Sequence, residues 1–448
     1  MKTSKKKTGN TRIIDIKQIS ISTKKIFKII DKKIPENLFD RPLLYEDIGI
    51  WNKVPDTGDD VKELLNLAMK EYSNHIERNP LYDVIVSEFI KKYGVHGKCD
   101  DVHSFLIEIQ NKLISNSTDY KDIQREKSDI SPLLKPSILL YYQIAFDEDI
   151  INSKKIVINQ LNKGIVNIVS RFIPLFDEQK EESNNMLIKE LKNWLSNASD
   201  QGEFVQVNFS ADWNNVQASR SITKRRIVWP SDLSDEIESN NENSLRINQV
   251  RLVHDCETNK LLYQDQYGQT IIPIYTGTIP MQLLSLQFQL FNMVVDPWLI
   301  KNNHDNRFIE FPKNVKTIRQ NNRIEKSNIV YKRAEWIIPK ESIPKLKNLS
   351  KTEIFKALFE WKTKNELPEE FFITTRCKND HINILMKKKP FYFSFKNSYT
   401  HQHLEVAIKD NDFEGLILSE VFPSIDDGLG TSEGKVHTAE FLTLTKLY

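Results

Sequence analysis

Residues 331–423 begin Y-K-R-A-E-W-I-I-P (331–339) and end L-I-L-S-E-V-F-P (416–423), with L-P-E-E-F-F-I-T-T-R (367–376) and K-K-P-F-Y-F-S-F-K (388–396) between them. Ser350-Lys351-Thr352-Glu353 is a capping box, across which Leu349 can staple onto Ile354. Ile354, Leu358 and Trp361 then give a helix one buried stripe. Leu367-Pro368 breaks that helix, and the aromatic, β-branched run to Thr375 reads as a strand. Asn379-Asp380 predicts a turn into a strand at 382–386, and Asn397 or Ser398 caps a helix over 399–408. Gly415 releases the chain into a strand at 416–421, and a glycine-rich loop at 428–434 precedes a last strand at 437–444. The stretch is a compact α+β unit with a helix inserted between strands.

Working outward, residues 13–34 alternate Ile with polar or basic residues, and Arg41-Pro42-Leu43-Leu44-Tyr45-Glu46-Asp47-Ile48 alternates so as to place Tyr45 and Asp47 on one face of a strand. Three amphipathic helices follow. Asp59 and Asp60 open the first, with Val61, Leu64, Leu65, Ala68 and Tyr72 as its stripe. Leu81, Val84, Ile85 and Phe89 mark the second, which stops at Tyr93-Gly94. Asp100 or Asp101 starts the third, with Val102, Phe105, Leu106, Ile109 and Leu113 facing inward. Residues 117–130 read as a polar loop, 133–146 and 156–172 as apolar segments, and the acidic run at 177–182 as the entry to a helix ending near Trp194. After Gly202 the period changes to that of strands, and Arg220, Lys224, Arg225 and Arg226 form a basic cluster. Residues 231–243 read as an acidic surface excursion. Arg251 to His254, Leu261 to Tyr263 and Thr270 to Ile274 read as a three-stranded meander, 281–295 as a helix ended by Pro297, and 301–328 as a long exposed connection. The organisation expected is a basic tail and leading segment (1–34), a helix-rich part (35–200), a β-rich part with the meander and connection (201–330) and the α+β unit (331–448). The class is α+β, with mixed sheets and a helix-rich N-terminal part.

The chain has 448 residues, enough for two or three domains. Lys and Arg number 63 against 61 Asp and Glu, a net charge of +2, so no global field marks a nucleic-acid binder and any basic site must be local. Cys99, Cys256 and Cys377 lie far apart with no C-x-x-C pair, which argues against a structural zinc site and a disulfide framework. Lys2, Lys5, Lys6 and Lys7 are not followed by an apolar segment of signal-peptide length, and nowhere do about 18 apolar residues run together. The expectation is a cytoplasmic chain without a membrane span.

The order of phrases now carries a resemblance. A basic residue and W-x-x-P (Arg323 to Pro339), a helix with Trp361, Glu366-Leu367-Pro368-Glu369 and a strand, a closing Leu416 to Glu420 with Pro423, and lastly Glu440 resemble the later part of the N-terminal domain of class I lantibiotic dehydratases. Upstream, Leu44-Tyr45-Glu46-Asp47 resembles that family's apolar-x-x-D segment, and Phe89 to Gly94 its F-x-x-x-Y-G helix end. The resemblance covers roughly residues 35–448. It implies transfer of glutamate from glutamyl-tRNA to Ser or Thr of a ribosomally made precursor peptide, with elimination by a separate domain; a related group of peptide aminoacyl-tRNA ligases extends peptides instead. Such acyl transfer needs cations for the tRNA end and a group that orients the hydroxyl. Glutamyl-tRNA would be the co-substrate, with no cofactor tightly bound. The family's TPFG segment with clustered arginines, its winged-helix precursor-binding region and an elimination domain have no recognisable counterpart here. The resemblance therefore implies one piece of a split enzyme, with a second protein supplying the arginine-rich half and another the elimination domain, or a truncated product. The rival readings are a non-catalytic scaffold or peptide-binding subunit, and a remnant without activity of its own.

By the same resemblance Asp47 matches an aspartate lining the glutamylation site, where it would orient a hydroxyl or ribose; without the resemblance it reads as a strand-end acid with a local hydrogen bond. Arg220 matches a late site arginine, and Arg225 and Arg226 would meet tRNA phosphates; the three read equally as a solvated basic surface. Arg251 and His254 fall on opposite faces of one strand, which makes His254 a structural hydrogen-bonding residue. His401 and His403 stand two apart in a helix, unlike the i, i+4 spacing of a helical metal pair. Lys387, Lys388 and Lys389 before Phe391, Tyr392 and Phe393 resemble the basic-aromatic pattern of single-strand RNA binding, and read more simply as a solvated turn entering a core strand. Glu420 reads as a strand-end acid paired with Arg376.

Overall fold

The computed structural model describes residues 57–115, 134–146, 153–163, 181–199, 201–207, 222–229, 243–275, 281, 284–300, 317–377, 390–408, 413–424, 430–432, 435–437 and 439–446, together with 21, 22, 24, 25, 28 and 29. By their contacts the residues form two units, Met1–Pro55 with Gly430–Lys435, and Asp56–Leu429 with Val436–Tyr448. In the first unit the described residues between 21 and 29 are helical and exposed. The strand expected around Tyr45 and Asp47, the loop at 117–130 and the strand at 382–386 lie outside the described residues.

In the second unit the helices start and stop where side chains satisfy their end groups. Helix α1 (Gly58–Ser73) carries Asp59 and Asp60 in its first turn and buries Val61, Ala68, Met69 and Tyr72. After β1 (Ile76–Arg78), Asn79 accepts from the Leu81 amide at the start of α2 (Pro80–Tyr93), and Pro80 needs no amide partner there. Gly94 ends α2 at φ +81°, where a side chain would be strained, with its amide on the Ile90 carbonyl. Following β2 (Lys98–Cys99), Asp101 caps α3 (Val102–Ser115) through the Ser104 amide. The stripes, the acidic starts of α1 and α3 and the Gly94 stop are those the sequence predicts, and the Asn79 cap adds to them.

The strands β3 (Ser137–Phe146) and β4 (Lys154–Lys163) form a long antiparallel pair. Beyond α4 (Glu181–Ser196) come β5 (Glu203–Val207), β6 (Arg225–Val228), β7 (Ser244–Arg246), β8 (Arg251–Asp255), β9 (Lys260–Gln264) and β10 (Thr270–Tyr275), then α5 (Leu286–Met293) and β11 (Trp298–Ile300). The last part holds β12 (Arg319–Asn321), β13 (Ile324–Lys326), β14 (Ile329–Lys332), β15 (Glu335–Pro339), α6 (Lys351–Lys364), β16 (Glu370–Cys377), β17 (Phe391–Ser394), α7 (Ser398–Ala407), β18 (Phe413–Glu420), the short β19 (Gly430–Ser432) and β20 (Lys435–His437), and β21 (Phe441–Lys446).

Among the described residues three sheets have five or more strands. One has the order β2-β8-β9-β10-β5-β6-β7, with the expected meander at β8-β9-β10 and parallel pairing from β10 to β7. Its core joins α2, α3 and α5 through Phe89, Phe105, Tyr263 and Phe291, and Trp229 stands edge-on to Phe288 and Phe291 at 5.1 and 5.6 Å. A second, β12-β15-β18-β16-β17, is packed with α6 and α7 around Trp336, Leu358, Trp361, Leu404 and a stacked cross-strand pair, Phe371 and Phe393, 5.1 Å apart. The third, β13-β14-β4-β3-β21, packs Ile138, Leu140 and Ile156 with Val61 and Tyr72 of α1. The class is α+β, as the sequence predicts.

Four local expectations are corrected. Residues 319–326, expected in an exposed connection, supply β12 and β13, because their charged residues occupy sheet edges and leave no apolar alternation to read. The expected helix at 281–295 is confined to Leu286–Met293. Strand β18 begins at Phe413 and runs through Gly415, whose lack of a side chain does not interrupt the ladder to Pro339 and Arg376. The last strand lies at Phe441–Lys446 rather than 437–444.

Candidate functional site

Residues 319–339 form one long hairpin shared between two sheets. Its tip, β13 and β14, turns at Ser327 and Asn328, both with positive φ (52° and 60°), the backbone that a two-residue hairpin turn of right-handed twist requires. Its base, β12 and β15, pairs Asn321 with Glu335 and Arg319 with Ile337 in the neighbouring sheet. The two places where the chain crosses between sheets are Asn322-Arg323 and Arg333-Ala334. Both crossings carry an arginine.

Arg323 is answered by carboxylates. Its Nε and Nη2 donate to the two oxygens of Glu420 at 2.8 and 2.9 Å, Nη1 lies 3.5 Å from Glu325, and the guanidinium sits 3.9 Å from the Phe422 ring centroid. Hydrogen bonding to Glu420 raises its pKa, against the opposing effect of burial. Glu420 also accepts from the Ala334 amide at 2.9 Å. Thus Glu420 pairs with Arg323, not with Arg376 as its sequence position suggests: the hairpin brings a distant arginine to the end of β18.

Among the described residues Arg333 is answered by neutral oxygens. Its Nε donates to the Phe422 carbonyl at 2.6 Å, and its Nη2 to Gln143 Oε1 and Asn159 Oδ1, each at 2.8 Å. Asn159 stands at a bulge in β4, where the register passes from Tyr141↔Gln160 to Tyr142↔Ile158, and bulges re-aim side chains in this way. Its amide nitrogen donates to Glu440 at 2.6 Å, which fixes the orientation of the group. Burial pulls the Arg333 guanidinium down to about 10; Glu420 and Glu440 act upward and Arg323 downward. Beneath this polar layer Ala145, Val157 and Val330 pack with Phe422. The bend thus offers a cation in a fixed orientation with no carboxylate among the described residues in direct contact, an arrangement suited to attracting an anionic group.

The residues nominated from sequence fare differently. Asp47 and Arg220 lie outside the described residues, as do Lys387, Lys388 and Lys389. Arg225 on β6 donates to Glu203 at 2.6 Å and Asp265 at 2.8 Å; its side chain is 13% exposed and that of Asp265 0%. Burial would lower the Arg225 pKa and raise that of Asp265, and the ion pair, with the Gln269 and Tyr267 amides on Asp265, reverses both. Arg226, the next residue on the strand, projects to the opposite face and has no ion pair to a described residue. His254 pairs through Nε2 with Asn259 Oδ1 at 2.9 Å, the structural role expected of it. His401 is buried with Nε2 3.2 Å from the Phe395 carbonyl. Among the described residues no three His, Cys, Asp or Glu side chains converge to hold a metal ion, and no helix is long and apolar enough to cross a membrane.

Sequence reasoning missed Arg333, Gln143 and Asn159. One signal was present: Ser327-Asn328 between two short Ile- or Val-bearing runs marks a hairpin turn, and folding the chain there pairs Ile324 with Lys332 and leaves Arg323 and Arg333 at the open end of that ladder.

No protein-family model matches the chain, and no curated protein matches it. Among solved structures it is similar to TbtB, the glutamylation domain from thiomuracin biosynthesis, at 15% identity and a TM-score of 0.51 over 82% of this chain and 47% of that one. It is similar to the same domain bound to 5′-phosphodesmethylglutamycin at 14% identity and a TM-score of 0.53, over the same shares. The tRNA-dependent lantibiotic dehydratase MibB from Microbispora sp. 107891 overlaps 76% of this chain and 31% of its own, at 11% identity and a TM-score of 0.49. What is shared at such identities is the fold. The chain shares the fold of the TbtB glutamylation domain, and it spans about half the length of TbtB.

Proposed function

We propose that this chain is a subunit of a glutamylation-type acyl transferase, acting in the cytoplasm where charged tRNA is made. A serine or threonine hydroxyl of a ribosomally made precursor peptide attacks the ester carbonyl of glutamyl-tRNA; the terminal ribose oxygen leaves and takes up the hydroxyl proton. The observation that carries this reading is the cationic bend of the 319–339 hairpin, set in a fold shared with a glutamylation domain. Asp47 would orient the accepting hydroxyl, Arg220 would steady the charge that develops on the ester, and Arg226 would meet tRNA phosphates. Arg225, already held by Glu203 and Asp265, would contribute by fixing the strand that carries Arg226. A partner protein would supply further cations for the tRNA, and an elimination protein would act on the glutamylated product.

The test mixes the full chain with a candidate partner protein, precursor peptide and charged tRNA, and reads glutamyl adducts by mass spectrometry. Adducts that require the chain, and that fall by about tenfold or more in Asp47→Ala and Arg220→Ala, support the assignment. Precursor binding without adducts would identify a peptide-binding scaffold. Undiminished adducts in both variants would remove these residues from the reaction.

A further inference from the structure

We propose that Arg333, with Gln143 beside it, forms an oxyanion-binding subsite that takes a carboxylate or a phosphate group; this rests on reading the hairpin bend as the functional site. A guanidinium has five N–H donors. Nε and Nη2 of Arg333 are engaged by Phe422, Gln143 and Asn159, and Nη1 has no partner among the described residues. The Gln143 amide nitrogen likewise has no described partner, while its oxygen accepts from Arg333.

The described carboxylates nearby, Glu420 and Glu440, are engaged elsewhere. Glu420 gives both oxygens to Arg323 and one also to the Ala334 amide, and Glu440 accepts from Asn159. A largely desolvated cation with no contacting carboxylate among the described residues is costly by itself, and an arriving anion offsets that cost. The guanidinium is also held in orientation by oxygens from β3, β4 and the segment after β18, so little side-chain freedom remains to be lost on binding. Arg323 adds positive potential to the same place. Under the acyl-transfer reading, two groups carry this chemistry: the side-chain carboxylate of a glutamyl residue and a phosphate of the tRNA terminus.

Calorimetric titration of the full chain separates the sources and needs no tRNA, peptide or partner, so its failure is distinct from failure of the acyl-transfer assay. The probes are glutamic acid α-methyl ester, whose only carboxylate is the side-chain one, adenosine 5′-monophosphate, and glutamine α-methyl ester as the uncharged control. At least one anionic probe is expected to bind, and Arg333→Gln to weaken it about tenfold or more. Binding of the glutamic ester alone assigns the subsite to the carboxylate; binding of the nucleotide alone assigns it to phosphate. If thermal melting shows that Arg333→Gln is unfolded, Gln143→Leu, which leaves the cation in place, is expected to weaken the same probe. No binding by the unaltered chain, equal binding of the glutamine ester, or unchanged affinity in the folded variants overturns the proposal.

Discussion

The phenol of Tyr82 lies in the largest core with its oxygen accepting from the Leu261 amide at 3.3 Å. Burial raises its pKa from 10.0 to about 12. The sign follows from proton counting: between about pH 10 and about pH 12 the unfolded chain has released this proton and the folded chain has kept it. Stability therefore falls as pH rises through that window, by up to about 1.4 kcal/mol per pH unit for one group. Urea melts across the window should lose part of this slope in Tyr82→Phe, which also strands the Leu261 amide and costs about 1 kcal/mol at neutral pH. An unchanged slope would show that this phenol does not carry the alkaline sensitivity. At the same scale, Asp47 and Arg220 were nominated through a family pattern, whereas Arg333 sits in no local motif. Its partners come from positions 143, 159 and 422, and only the folded chain makes them neighbours.

Helix ends were the most legible elements because each is decided within a few residues. Asn79, Asp101 and Asn397 accept from nearby amides as their residue types foretell. At α6 the capping box is complete: Ser350 Oγ accepts from the Glu353 amide at 3.3 Å, and Glu353 Oε2 from the Ser350 amide at 2.7 Å. Ser350→Ala is expected to lower stability by about 1 kcal/mol in a denaturant titration, and Ser350→Asp, another good cap, to recover most of it. A loss in both variants alike would mean that the hydroxyl serves something other than the helix start. Strands β12 and β13 were illegible for the opposite reason. Arg319, Gln320, Glu325 and Lys326 present no alternation of apolar with polar residues, and partners elsewhere in the chain decide that they are strands.

Across the molecule, the 319–339 hairpin links two sheets that otherwise have separate cores. Arg323→Met removes the guanidinium that holds Glu420 at the end of β18. Because the Arg323 side chain is 31% exposed and that of Glu420 16%, the expected loss is about 2 kcal/mol, below the figure for a fully buried pair. Hydrogen exchange should then quicken in residues 413–420 while residues 251–255 stay protected; equal acceleration of both would mean that the joint is not a separate cooperative boundary. The order of strands has a further consequence during synthesis. Segment 137–146 leaves the ribosome early, yet one of its sheet neighbours is 441–446, translated long afterwards. Until that late segment arrives, the nascent chain carries an open β edge, so the interval of exposure to chaperones and to self-association is set by elongation speed rather than by any local propensity.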